Sequence, residues 1–143
     1  MSVRSKRKRL FEQRRMKRRH YQPRGIPEGD IEELTTGVAP TAMSGTLKLT
    51  KLTTGNTGGA EDVTLGNGNA LYFEKIVELT EVINPGVDVI NFSDLTNIES
   101  YEGRTVTKIE MTENEHFIMF RWSGPGGKWE ILRSHRGVTI EVG

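Results

Sequence analysis

Cysteine is absent from this 143-residue chain. Disulfides, thiolate nucleophiles and cysteine-based zinc sites are therefore excluded, and the redox compartment stays open. Long apolar runs are missing too, since none approaches the ~20 residues that cross a bilayer. The N-terminus is charged but lacks the apolar segment of about 7–15 residues that makes a secretory signal. A soluble chain with no membrane partner, not exported by that route, is expected. Aromatic residues make up only 7% of the chain and hydrophobic ones 34%. Roughly 100 residues beyond the charged N-terminus suffice for one modest core. The sixteen glycines suit a small β domain, or a subunit that completes its core by oligomerising.

What is abundant is positive charge, gathered in one place. Arg4, Lys6, Arg7, Lys8, Arg9, Arg14, Arg15, Lys17, Arg18, Arg19 and Arg24 share the first 25 residues with a single acid, Glu12, so this arm carries +10. The other 118 residues hold nine basic and eighteen acidic groups, a net −9, so the total of +1 conceals a cationic arm joined to an acidic body. Self-repulsion predicts an extended arm over residues 1–25 that is disordered alone and orders on an anionic partner. Its apolar residues, Val3, Leu10, Phe11, Met16 and Tyr21, form no sustained helical stripe. Three readings fit it: a merely solvated localisation-type tail, a phosphate-binding arm with steep salt dependence, or an arm that docks on an acidic protein lattice. Eight of the eleven cations are arginine, which favours forked pairing with phosphate or carboxylate. With only Phe11 and Tyr21 available for base stacking, sequence-specific reading of nucleic acid is not expected.

Residues 26–45 read as an acidic turn followed by a linker. Glu28–Leu34 suits one helical turn, and the Thr-rich stretch broken by Pro40 suits extended chain. An all-β domain is expected over 46–143, best defined over 84–142. Leu47 and Leu49 alternate with Lys48 and Thr50 in a half-exposed strand, and Gly-Asn-Thr-Gly-Gly at 55–59 and Gly-Asn-Gly-Asn at 66–69 are turn sequences. Neither has the Gly-Lys-Ser/Thr of a phosphate loop. Further strands are predicted at Leu71–Ile83, Val87–Phe92, Arg104–Thr112, His116–Trp122, Lys128–Leu132 and Val138–Val142, separated by turns at intervals of about 8–12 residues. That spacing predicts a small Gly-rich β-sandwich or prism-like domain. The run Phe117, Ile118, Met119, Phe120 and Trp122 is apolar on both faces, which marks either a strand between two layers or an oligomer interface.

Chemistry-bearing residues are sparse. His20, His116 and His135 are far apart, and His116 beside Glu113 and Glu115 sits in a charged turn that is more simply read as solvated. The seven serines include no Gly-x-Ser-x-Gly elbow, and Ser134 and His135, as neighbours on a strand, point to opposite faces. The pairs Glu61/Asp62, Glu74/Glu78 and Glu110/Glu130 lack a flanking aromatic pocket that would raise one pKa. A non-enzyme without metal or cofactor is expected.

The order Pro85-Gly86-Val87-Asp88-Val89-Ile90-Asn91-Phe92, Tyr101-Glu102-Gly103-Arg104-Thr105-Val106-Thr107, Phe117-Ile118-Met119-Phe120, Gly127-Lys128-Trp129-Glu130-Ile131-Leu132 and Gly137-Val138-Thr139-Ile140-Glu141-Val142 resembles the β modules that end tailed-bacteriophage fibres, spikes and head-decoration proteins. The resemblance spans residues 85–142. It implies a homotrimer on a virion, with no catalytic site, whose partners are other copies of itself and virion proteins such as a capsid lattice. The interface would draw on Phe117–Trp122, and the arm would dock on the lattice or reach packaged nucleic acid. The alternative is a nucleic-acid-binding protein that uses the arm on phosphates. A carbohydrate- or receptor-binding tip would instead rely on exposed Tyr101, Trp122 or Trp129.

Overall fold

The structure, a computed structural model, describes residues 25–143; all eleven basic residues of the arm, and the expectation of its disorder, lie outside them. Eleven strands form two mixed sheets, and the only helical pieces among the described residues are two three-residue 3-10 turns. The all-β expectation therefore holds.

Strands β1 (Ile31–Thr35), β3 (Leu49–Thr53) and β5 (Glu74–Glu81) lie parallel in one sheet, while β2 (Thr41–Met43), β4 (Ala60–Leu65) and β6 (Val89–Phe92) lie parallel in the other. The chain thus crosses from sheet to sheet at every step, winding as stacked two-strand coils. The remaining strands close the windings: β7 (Ile98–Glu99), β8 (Val106–Met111), β9 (Phe117–Trp122), β10 (Trp129–Ser134) and β11 (Thr139–Val142). Their addition gives a six-stranded sheet ordered β1-β3-β5-β9-β10-β7 and a five-stranded sheet ordered β11-β8-β6-β4-β2.

One core joins the sheets. Leu52, Val77, Leu79, Ile118, Phe120, Trp122, Trp129 and Ile131 of the larger sheet meet Met43, Val63, Leu65, Ile90, Phe92, Ile109 and Met111 of the smaller. Phe92 and Phe120 touch across the layers at 6.0 Å between ring centroids. The period-2 alternation of these residues is what places them on one face of each strand.

Residues 26–45 depart from the sequence reading. Only Glu28–Asp30 turns as a 3-10 helix, and the supposed linker supplies β1 and β2, the edge strands of the two sheets. The acidic Ile-Glu-Glu-Leu segment is extended because its register sets Ile31 beside Leu49 and Leu34 beside Leu52, and each pairing satisfies backbone groups that a lone helical turn would leave open. The two Gly-Asn segments lie in the connections after β3 and after β4, with bends at 58–59 and 69–70. Asn56 and Gly58 adopt φ of 57° and 81°. Gly68 serves a different purpose, since a Cβ there would lie 2.6 Å from the Trp122 ring.

Candidate functional site

Two polar clusters fix the coils from within. In the first, Lys75 is fully buried on the inward face of β5. Its ammonium donates to the Thr50 hydroxyl at 2.5 Å, and Thr50 donates in turn to Glu32 at 2.5 Å. Glu32 also accepts from the Ser44 amide at 2.7 Å and lies 3.6 Å from the Lys75 nitrogen. One side chain from each of β1, β3 and β5 is thereby tied together. Burial pushes Lys75 down to about 8, although Glu32 pulls the other way through its charge and hydrogen bonding. The folded pKa is depressed, so the contribution of this group is fully present above the ordinary 10.5 and lost as pH falls towards 8. Between those limits the unfolded chain holds the proton more tightly. Unfolding free energy is expected to rise by up to about 3 kcal/mol from pH 8 to pH 10.5. Urea titrations across that range would show this slope, and Lys75→Met should flatten it; an unchanged slope in the variant would assign the effect elsewhere.

The second cluster sits at the corner where the chain changes sheets. Glu61 points inward from β4 and is buried. Its carboxylate accepts from the Thr36 hydroxyl, from the Gly55 amide at 2.6 Å and from the Thr57 amide at 3.4 Å. Burial alone would raise its pKa, but these hydrogen bonds outweigh it and hold the group below the usual carboxylate range. Asp88, also buried, accepts from the Thr54 hydroxyl at 2.8 Å and the Asn84 amide at 3.1 Å. No buried side-chain nitrogen or oxygen among the described residues lacks a partner. Both clusters tie neighbouring coils together through side-chain hydrogen bonds.

The outer surfaces of the two sheets differ. Side chains between the core positions face outward, and on the five-stranded sheet they are mostly polar, with Asp62, Asn91, Lys108, Glu110 and Glu141 among them. On the six-stranded sheet the register aligns Ile31, Leu49, Ile76 and Met119 in one apolar row across four strands. The next row holds Glu33, Lys51, Glu78 and Phe117. This outer face is the candidate interaction surface. The expected interface set divides over it: Phe117 and Met119 belong to this face and are half-buried, whereas Ile118, Phe120 and Trp122 point into the core of their own chain. Those three face the core because β9 packs its inner side on the five-stranded sheet. Phe117 is itself flanked by Arg133, whose guanidinium carbon lies 5.6 Å from the ring centroid, and by His135.

Other sequence-marked residues are not brought together into a reactive site. His116 is buried, with Nδ1 accepting from the Thr112 and Glu113 amides at 3.2 and 3.4 Å, and its ring lies 4.9 Å from that of His135, tilted by 33°. Desolvation and the neighbouring His135 hold its pKa below the usual value, against the pull of Glu113. Glu110 and Glu130 lie on different sheets, paired with Lys108 and Arg121 respectively. Among the described residues no group of three or more His, Cys, Asp or Glu could hold a metal ion, and no helix is long and apolar enough to cross a membrane. Trp122 and Trp129 are buried, which leaves Tyr101, 70% exposed, as the sole survivor of the three aromatics proposed for a glycan-binding tip. An open groove of about 430 Å³ beside β2 is lined by Thr64, Asn67, Asp94, Thr96 and Asn97 among others. Its polar groups largely satisfy one another, as in Asn97 donating to Leu65 and Asn67 and Thr96 donating to Asp94.

Sequence reasoning did not single out Glu32, Thr50 and Lys75, nor Thr36 and Asp88. The signal that could have found them is a charged or hydroxyl side chain at the inward position of a strand. No family model matches the chain, and no curated protein is detectably similar to it.

Proposed function

We propose that this chain is a structural protein of a tailed-phage virion, a decoration, head-fibre or tail-attached subunit that docks through its N-terminal arm and self-associates, as a trimer, through its β body. The observation that carries this reading is the separation of charge: a +10 arm precedes an acidic body whose buried polar groups serve cohesion. Such an arm engages acidic protein surfaces or phosphates, and contacts that are weak singly become durable when many subunits bind one lattice. The resemblance of residues 85–142 to phage fibre and decoration modules supplies the context. The outer face of the larger sheet, with Phe117 and Met119, supplies apolar surface for self-association.

Replacing Arg14, Arg15, Arg18 and Arg19 with Glu shifts the arm by eight charges. Light scattering of the full chain and this variant, with and without DNA over a salt series, tests the reading. Trimers are expected from both, with little DNA binding near physiological salt and loss of particle incorporation in the variant. Monomers whose DNA binding falls steeply with salt, and vanishes in the variant, would move the assignment to a nucleic-acid-binding protein.

A further inference from the structure

The connection between β4 and β5 holds a reactive pair. Of the seven asparagines in the chain, only Asn67 is followed by glycine. With no side chain to shield it, the Gly68 backbone nitrogen can approach the Asn67 side-chain carbonyl carbon more freely than that of any other residue type. Asn67 is exposed, Gly68 is half-buried, and both lie outside the strands. Among the described residues the Gly68 amide donates no backbone hydrogen bond, so none has to be broken when its nitrogen reacts.

The surroundings of this pair are firmly held. Gly66 donates to the Met43 carbonyl at 2.9 Å and accepts from Trp129 Nε1 at 2.8 Å, while Gly68 lies against the Trp122 ring. Asn67 lines the groove beside β2. Its Oδ1 accepts from Asn97 Nδ2 at 3.0 Å, and Asn97 is itself fixed by donating to the Leu65 carbonyl at 2.8 Å. A donor on Oδ1 draws charge from the carbonyl carbon and stands ready for the oxyanion that forms when a nucleophile adds.

We propose that Asn67 is a self-modification site, at which the Gly68 backbone nitrogen attacks the Asn67 side-chain amide with Asn97 as the electrophilic assistant, and the residue becomes aspartate or isoaspartate. Hydroxide takes the proton from the Gly68 N–H as that nitrogen bonds to Cγ. The resulting oxyanion is held by Asn97, then collapses and breaks the bond to the side-chain nitrogen, which takes a proton from water and leaves as ammonia. A cyclic succinimide remains, and water opens it at either carbonyl. Overall one amide and one water give one carboxylate and one ammonium, with no change of oxidation state. Aspartate adds a carboxylate to a groove that already holds Asp94. Isoaspartate lengthens the main chain between two anchored points, Gly66 and Gly68, and so strains the Trp129–Gly66 hydrogen bond. The reaction belongs to the β body and does not depend on what the arm docks to.

Incubating the full-length protein at about pH 6 and about pH 8 changes the supply of hydroxide, and peptide mass spectrometry that separates aspartate from isoaspartate reads the outcome. Conversion at Asn67 is expected to exceed that at Asn56 and Asn69 several-fold, to quicken at the higher pH and to release ammonia in step. Those two asparagines are also exposed in connections, but Thr57 and Ala70 follow them. Conversion at Asn67 no faster than at Asn56 and Asn69 would overturn the proposal. Asn97→Ala, and Asn97→Asp, which keeps the shape but removes the donor, are expected to slow the reaction several-fold. A rate unchanged or raised in both would overturn the part assigned to Asn97, because a loop that is merely loosened reacts faster.

Discussion

Glu61→Ala is expected to lower unfolding free energy by about 3–5 kcal/mol, because it removes two close hydrogen bonds to a charged group, each contributing about 1.5–3 kcal/mol. The loss would consume much of the ~5–15 kcal/mol that holds a typical domain together. Three donors converge on this one carboxylate, from the loops after β1 and after β3; the Thr36 hydroxyl is buried and would be orphaned, whereas Gly55 and Thr57 are exposed and can turn to water. Removal cannot be absorbed by the backbone moving inwards, because Gly55 is packed so close to the Thr36 carbonyl that a Cβ there would collide with it. Glu61→Gln should cost less, because its amide oxygen can still accept from Thr36 and Gly55 while only the 3.4 Å contact with the Thr57 amide meets a donor. Asp62→Ala, one residue away on the outward face, should stay within about 0.5 kcal/mol. Guanidinium titrations of the three variants measure the contrast, and similar values at positions 61 and 62 would remove the network's assigned role. The sign of the pH effect also follows. A carboxyl held below its ordinary 4.5 stabilises the fold above that value and ceases to do so as pH falls through the folded pKa, so the acid limb of the stability curve should flatten in Glu61→Gln.

Trp129→Ala should cost a similar 3–5 kcal/mol, through cavity formation. The indole is completely buried and meets three other rings edge-on: Trp122 at 5.1 Å, Phe120 at 6.3 Å and Phe73 at 6.5 Å between centroids. Its Nε1 donates to the Gly66 carbonyl at 2.8 Å, tying β10 to the turn that leaves β4. Truncation empties the meeting point of the rings and leaves that carbonyl without its donor. Trp129→Phe retains most of the volume and loses the hydrogen bond, so a loss of about 1–2 kcal/mol is expected. Trp122 remains as the fluorescent reporter in both variants. A penalty below about 1 kcal/mol for the alanine would mean that the cluster relaxes to fill the space, and that the ring contacts contribute little.

How far the sequence reveals this molecule depends on which way its polar residues point. Strands β5, β6, β8 and β10 are legible because Val77/Leu79, Ile90/Phe92, Ile109/Met111 and Trp129/Ile131 alternate with largely polar neighbours at period 2, and β9 because its run from Phe117 to Trp122 is almost wholly apolar and aromatic. Strands β1 and β4 hide because Glu32 and Glu61 occupy inward positions, so the alternation reads as broken. β2 has three residues, too few for any period to register. Partnership is hidden more deeply. Each early strand pairs with the one two places further on, and no sequence repeat marks the coils. For the expected interface set, period 2 separates Phe117 and Met119 from Ile118, Phe120 and Trp122, but it does not say which of the two faces packs on the other sheet. The outer row is assembled by register across four strands, one residue from each, and no local window of sequence contains it.

The alternating crossover pattern has a consequence for how the body comes into being. β1 and β2 leave the ribosome first, yet β1 has no partner until β3 is made and β2 none until β4. Nearly every stabilising pairing in the first half therefore closes a long loop before it gains anything, the topology that slows folding most. Synthesis runs from the arm towards the C-terminus, whereas consolidation runs the other way: the antiparallel β9–β10 hairpin, joined by the short turn at 124–126, is the most local pairing in the fold and the natural nucleus. The coils are then laid down on β5 in reverse order of their birth, so the edge strands made first are the last to find their places.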